Sequence, residues 1–89
     1  MTSKQNKKVS FSFAAPSTAK EVFLCGDFNA WGRGTPMKRK GDSWSADLEI
    51  APGEHEYKFL VDGVWFNDPS AVKQVPNIWG SENSLIIVK

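Results

Sequence analysis

Val61-Asp62-Gly63-Val64 constrains this chain more than any other stretch of it. Asp-Gly between apolar residues specifies a two-residue type I′ hairpin, because both central positions need positive φ and Gly adopts it without a steric penalty. The turn sets the pairing: Val61 opposite Val64, Leu60 opposite Trp65, Phe59 opposite Phe66, and Lys58 opposite Asn67. Side chains alternate across a strand, so Tyr57, Phe59, Val61, Val64 and Phe66 share one face, expected to be the core face. Lys58, Leu60, Trp65 and Asn67 share the other. An indole on that polar face either covers sheet surface beneath a loop or presents a flat apolar platform. With Lys58 a diagonal neighbour away, a platform beside a donor suits a pyranose ring, apolar on its C–H face and hydroxylated at its edge.

The same period of two runs through the rest of the chain. Val9, Phe11 and Phe13 alternate with Ser10 and Ser12. Val22-Phe23-Leu24-Cys25 is a continuous apolar run, as expected for a central strand, ended by Gly26-Asp27. Trp44, Ala46, Leu48 and Ile50 alternate with Ser45, Asp47 and Glu49, which predicts a core position for Trp44. Leu85 to Val88 supplies a last strand. Six or seven short strands separated by Gly and Pro turns predict an all-β, antiparallel sandwich or small barrel. The stretch from Asn67 to Asn83 reads as a long irregular loop, and a loop of that length in a small domain is usually functional.

At 89 residues the chain fits one domain. Residues 1–7 are polar and are expected to be a disordered tail, with the folded module spanning residues 8–89. A formal net charge of +1 provides no general pull toward nucleic acid or anionic membrane. The cluster Lys38-Arg39-Lys40 is expected in a turn. No apolar run approaches the roughly 18 residues that span a bilayer. The N-terminal residues show no apolar stretch of a secretory signal, and a single cysteine, Cys25, excludes an internal disulfide. These features predict a soluble, cytoplasmic protein.

Trp31 and Trp79 lie in turn-rich segments, Asp27-Phe28-Asn29-Ala30-Trp31-Gly32 and Pro76-Asn77-Ile78-Trp79-Gly80. Each alone could be a plug for a small core. With Trp65 they make three tryptophans outside the core pattern, which favours a shared binding surface. Glycoside hydrolysis needs two carboxylates flanking one bond. Glu54, Glu56, Asp62 and Asp68 sit at turns or strand surfaces with no cleft-forming segment around them, and are expected to be ordinary solvated acids. His55 and Cys25 have no paired metal-ligand spacing, and His55 is expected on the strand surface. No catalysis, metal or cofactor is predicted.

Val22-Phe23-Leu24-Cys25-Gly26-Asp27-Phe28-Asn29-Ala30-Trp31 resembles the V-x-L-x-G-x-F-N-x-W opening of carbohydrate-binding module family 48. Pro52-Gly53-Glu54-His55-Glu56-Tyr57-Lys58-Phe59-Leu60-Val61-Asp62-Gly63-Val64-Trp65 resembles that family's P-x-G-x-x-x-Y-K-F-x-V-D-G-x-W, and Asp68-Pro69 follows at the usual spacing. Within the family the chain is similar to the glycogen-binding domain of AMP-activated protein kinase β subunits. The resemblance implies an immunoglobulin-like early-set sandwich that binds α-1,4-glucans such as glycogen, starch or maltooligosaccharides. It places the stacking tryptophans at Trp31 and Trp65 and the sugar-hydroxyl lysine at Lys58. Trp79 stands where the kinase subunit has a protruding leucine, Ser81 where it has threonine, and Asn83 matches its asparagine. The implied protein partner is a glycogen-metabolising enzyme or a kinase. The competing expectation is an early-set domain that serves as a protein-interaction or regulatory subunit without binding sugar.

Overall fold

The computed structural model describes residues 6–32 and 34–89. The expected tail falls largely outside these residues, and Lys7 already opens strand β1 (Lys7–Phe13), paired with Ile50. The other strands are β2 (Val22–Gly26), β3 (Thr35–Pro36), β4 (Lys38–Lys40), β5 (Ser43–Ile50), β6 (Gly53–Val61), β7 (Val64–Phe66), β8 (Lys73–Pro76) and β9 (Glu82–Val88). All pairings are antiparallel. The smaller sheet has the order β1-β5-β4; the larger has the order β3-β2-β6-β9-β8, with β7 also on β6. This is the antiparallel sandwich that the residues predicted, in the immunoglobulin-like early-set form that the resemblance implied.

Apolar residues of both sheets meet between the layers. Phe13 of the smaller sheet stacks on Phe59 of the larger with ring centroids 4.3 Å apart, and Phe11 meets Tyr57 edge-on at 5.2 Å. Val22, Leu24, Trp44, Ile50 and Val61, with Ala19, Met37 and Val88, complete the buried set. The hairpin forms in the expected register, with Phe59 opposite Phe66, Leu60 opposite Trp65 and Val61 opposite Val64. Asp62 and Gly63 have φ of 47° and 85°, the paired positive values that a type I′ turn requires. The Asp62 carboxylate also accepts from the backbone N–H groups of Lys20 and Glu21, tying the hairpin tip to the approach of β2.

Four expectations change. Val64 lies on the core-side face yet is exposed, because alternation sets a side chain's face and not whether the opposite sheet reaches that far. Lys38–Lys40 forms edge strand β4 and not a turn; its exposed charges discourage pairing with another chain's edge. The stretch after Asn67 contains β8, hydrogen-bonded along β9. Asp68 is buried and not solvated. Its carboxylate accepts from the Tyr57 hydroxyl at 2.6 Å and from Ser70 N–H at 2.8 Å, while its own N–H donates to the Ser84 hydroxyl at 2.8 Å. Burial first, and the Asp68 carboxylate second, push the Tyr57 phenol well above its ordinary pKa, so it remains a donor. Asp68-Pro69 thereby anchors the start of the long segment to the core.

Candidate functional site

β6 organises the outer face of the larger sheet. One side of β6 pairs with β2 along Tyr57 to Val61. Its other side pairs with β9 along Gly53 to Tyr57 and then with β7 along Phe59 to Val61. Lys58 falls at the step between those two partners, so the ladder does not extend to the expected Lys58–Asn67 pair. Lys58 shares the outer face with Cys25 opposite it on β2, and its stem is packed so that the residue is 9% exposed. No hydrogen bond or ion pair to its ammonium is found among the described residues. Trp65 lies across from Leu60 on the same face, and Phe23 continues that row on β2.

Trp31 is delivered to this face by a strained loop. A 3-10 turn, Asp27–Asn29, is followed by Ala30 and Trp31 with φ of 60° and 56°. Left-handed backbone at a non-glycine residue costs about 1–2 kcal/mol, so two in succession require strong anchoring. The Asn29 side chain provides part of it, accepting from Gly26 N–H at 3.0 Å and donating to the Leu24 carbonyl at 2.9 Å. Trp31 N–H donates to the Gly26 carbonyl at 2.9 Å. A side chain at Gly26 would lie 2.7 Å from both the Glu56 carbonyl and the Phe28 ring, which explains the glycine of the V-x-L-x-G-x-F-N-x-W stretch.

Asp27 supplies the remaining anchor. Its Oδ2 accepts from Glu56 N–H at 3.0 Å, and its Oδ1 lies 2.8 Å from His55 Nδ1. The Ala51 carbonyl lies 2.7 Å from His55 Nε2. His55 is therefore not an open strand-surface residue but a clamp behind the Trp31 loop. Both of its partners only accept, so both ring nitrogens must donate and the imidazolium fits the site. Burial alone would lower its pKa, but the Ala51 carbonyl and the Asp27 carboxylate outweigh it and the net shift is upward. A raised folded pKa contributes stability in full below the unfolded value of about 6.5 and loses it as pH rises through the folded value. The melting-temperature advantage of the wild type over His55→Gln should therefore shrink as pH is raised from about 6 into the alkaline range. An advantage that stays constant or grows would refute the imidazolium clamp.

Trp79 stands at the tip of the loop between β8 and β9 and is 82% exposed. Asn77 builds that loop. Its Oδ1 accepts from Trp79 N–H at 2.9 Å and Ser81 N–H at 3.1 Å, while its Nδ2 donates to the Ser81 hydroxyl and to Asn83 Oδ1, each at 2.9 Å. Gly80, with φ of 82°, lets the chain return.

These elements enclose one open groove of about 1060 Å³, and all six residues singled out from the sequence line it: Trp31, Lys58, Trp65, Trp79, Ser81 and Asn83. Glu56 and Asn77 also line it and were missed. The signals for both were present, since Glu56 alternates in phase with Lys58 and Asn77 opens a Gly-closed turn. Among the described residues no group of three or more His, Cys, Asp or Glu could hold a metal ion, and no helix is long and apolar enough to cross a membrane.

A two-sheet antiparallel sandwich that displays an aromatic-lined groove on one outer face defines this chain as an early-set β-sandwich module. A family model described as the glycogen recognition site of AMP-activated protein kinase matches residues 9–89, and the chain belongs to that family. It is 46% identical over 70 residues to the 5'-AMP-activated protein kinase subunit beta-1 of Sus scrofa, covering 79% of this chain and 56% of that protein. Its identity to the human subunit beta-2 is 44% over 70 residues, covering 79% of this chain and 25% of that protein. The chain thus spans between a quarter and just over half the length of these relatives. A maltogenic amylase from S. marinus shares the fold with a TM-score of 0.79 at 21% identity, over 94% of this chain and 14% of the amylase.

Proposed function

We propose that this chain is a non-catalytic module that binds α-1,4-glucan, as glycogen, starch or maltooligosaccharide, by stacking sugar rings on tryptophans. The observation that carries the reading is the convergence of Trp31, Trp65 and Trp79 with Lys58, Ser81 and Asn83 on a single groove. Trp31, Trp65 and Trp79 are 36%, 48% and 82% exposed, so each leaves indole surface for a ligand. An indole buries roughly 150–250 Å², and covering about half of one with a sugar face stabilises by roughly 2.5 kcal/mol. Two or three platforms supply roughly 5–8 kcal/mol before the cost of immobilising the oligosaccharide. Hydrogen bonds from Lys58, Ser81 and Asn83 mostly exchange with water and set orientation more than affinity. The expected dissociation constant for one site lies between about 1 µM and 1 mM.

Membership in a family described as a glycogen recognition site, and identity to kinase β subunits, support this reading. The protein partner that fits is a kinase or a glycogen-metabolising enzyme, in the cytoplasm. The exposed pair Ile78 and Trp79 favours a second reading, a docking tip for another protein without sugar binding. Titration with maltoheptaose separates the two: saturable binding supports the glucan module, and its absence leaves the docking domain.

A further inference from the structure

Glu56 is a groove residue with no role in the reading above. Strand alternation places it on the same face as Lys58, two residues and roughly 7 Å along β6. An ammonium and a carboxylate so close would ordinarily pair, yet neither forms a salt bridge among the described residues. One carboxylate oxygen, Oε1, accepts from Asn83 Nδ2 at 3.0 Å. A carboxylate only accepts, so it turns the Asn83 amide to face it with its NH₂ and to offer its carbonyl to Asn77 Nδ2 at 2.9 Å.

Counting hydrogen-bonding capacity then singles out Glu56. Lys58 only donates. The Asn77 carbonyl oxygen already takes two N–H groups, whereas the Ser81 hydroxyl and the Asn83 carbonyl each take one from Asn77 and keep one neutral acceptor site. Glu56 has one oxygen, Oε2, with no partner among the described residues, and spare capacity on the other. Every sugar hydroxyl carries a proton that must go to an acceptor when it leaves water. A vicinal diol can accept from an ammonium and donate to a carboxylate at once, which suits the gap between two unpaired charges.

We propose that Glu56 is a sugar-contacting residue that accepts from the vicinal hydroxyls of a glucose unit, opposite the donor Lys58. The inference rests on the glucan-binding reading and names a further contact of the same site. Its test is calorimetric titration of the whole 89-residue chain with maltoheptaose, using the wild type, Glu56→Gln and Glu56→Ala. Gln can still accept from Asn83 but lacks the charge, and charge-assisted hydrogen bonds are about twice as strong as neutral ones. Glu56→Gln should weaken binding by about tenfold, and Glu56→Ala by at least as much, with melting temperatures showing both variants folded. Glu56→Gln binding like the wild type overturns the inference, whether Glu56→Ala is weakened or not, since Glu56 then at most holds Asn83. A wild type that itself fails to bind maltoheptaose sinks the glucan reading, and this inference with it; that outcome is distinct because it precedes any change at Glu56.

Discussion

Trp65→Ala should weaken binding to maltoheptaose by about 60-fold or more while the protein remains folded at room temperature. Trp65 lies on the outer face of the larger sheet, across from Leu60, and 48% of it is exposed without ligand. In the proposed site its indole is a sugar platform on the same face as Lys58, so losing it should remove roughly 2.5 kcal/mol of stacking. At about 1.4 kcal/mol per tenfold, that loss is about 60-fold in Kd, and misplacement of the sugar over Trp31 would add to it. Normal binding by the folded variant would show that the site lies elsewhere.

Trp44→Ala should do the opposite, destabilising the protein by about 3–5 kcal/mol. Trp44 is on β5, opposite Phe13 on one side and Arg39 on the other, and is 8% exposed on the inner face of the smaller sheet. Stability in a domain this size is about 5–15 kcal/mol in total, so the loss is a large share of it. At about 4–8 °C per kcal/mol the melting temperature should fall by more than about 12 °C, well beyond the effect of Trp65→Ala. An unchanged melting temperature would overturn the core position. The two indoles lie on opposite kinds of face, Trp44 between the sheets and Trp65 on the outside of the larger one.

That contrast is legible in the sequence, because the Asp-Gly turn sets the face of Trp65 and alternation with Leu48 and Ile50 sets that of Trp44. Strands with clear alternation, β1, β5 and β6, were equally legible. The edge strands β4 and β8 were not. β4 is three charged residues and β8 has no apolar alternation, so each is held mainly by backbone pairing to a neighbour, which leaves little mark on side-chain pattern. Lys58 and Trp65 came from the hairpin argument, and Trp31 and Trp79 from lying in turn-rich segments outside the core pattern; Ser81 and Asn83 required the family resemblance, because loop geometry decides where they point. His55, Asn77 and Glu56 act through contacts with residues distant in sequence or across a turn, Asp27 with His55 and Asn83 with Glu56, and such pairs emerge only when the sheet brings them together.

The groove lined by Trp31, Lys58, Trp65, Trp79, Ser81 and Asn83 is proposed to receive an α-linked glucan. Calorimetric titration of the wild-type chain with maltoheptaose, beside cellohexaose as the β-linked control, tests it most directly. Saturable binding of maltoheptaose with Kd between about 1 µM and 1 mM is expected, with little heat from the flat β-linked ribbon. No binding of maltoheptaose up to about 10 mM, or equal binding of both oligosaccharides, would contradict it.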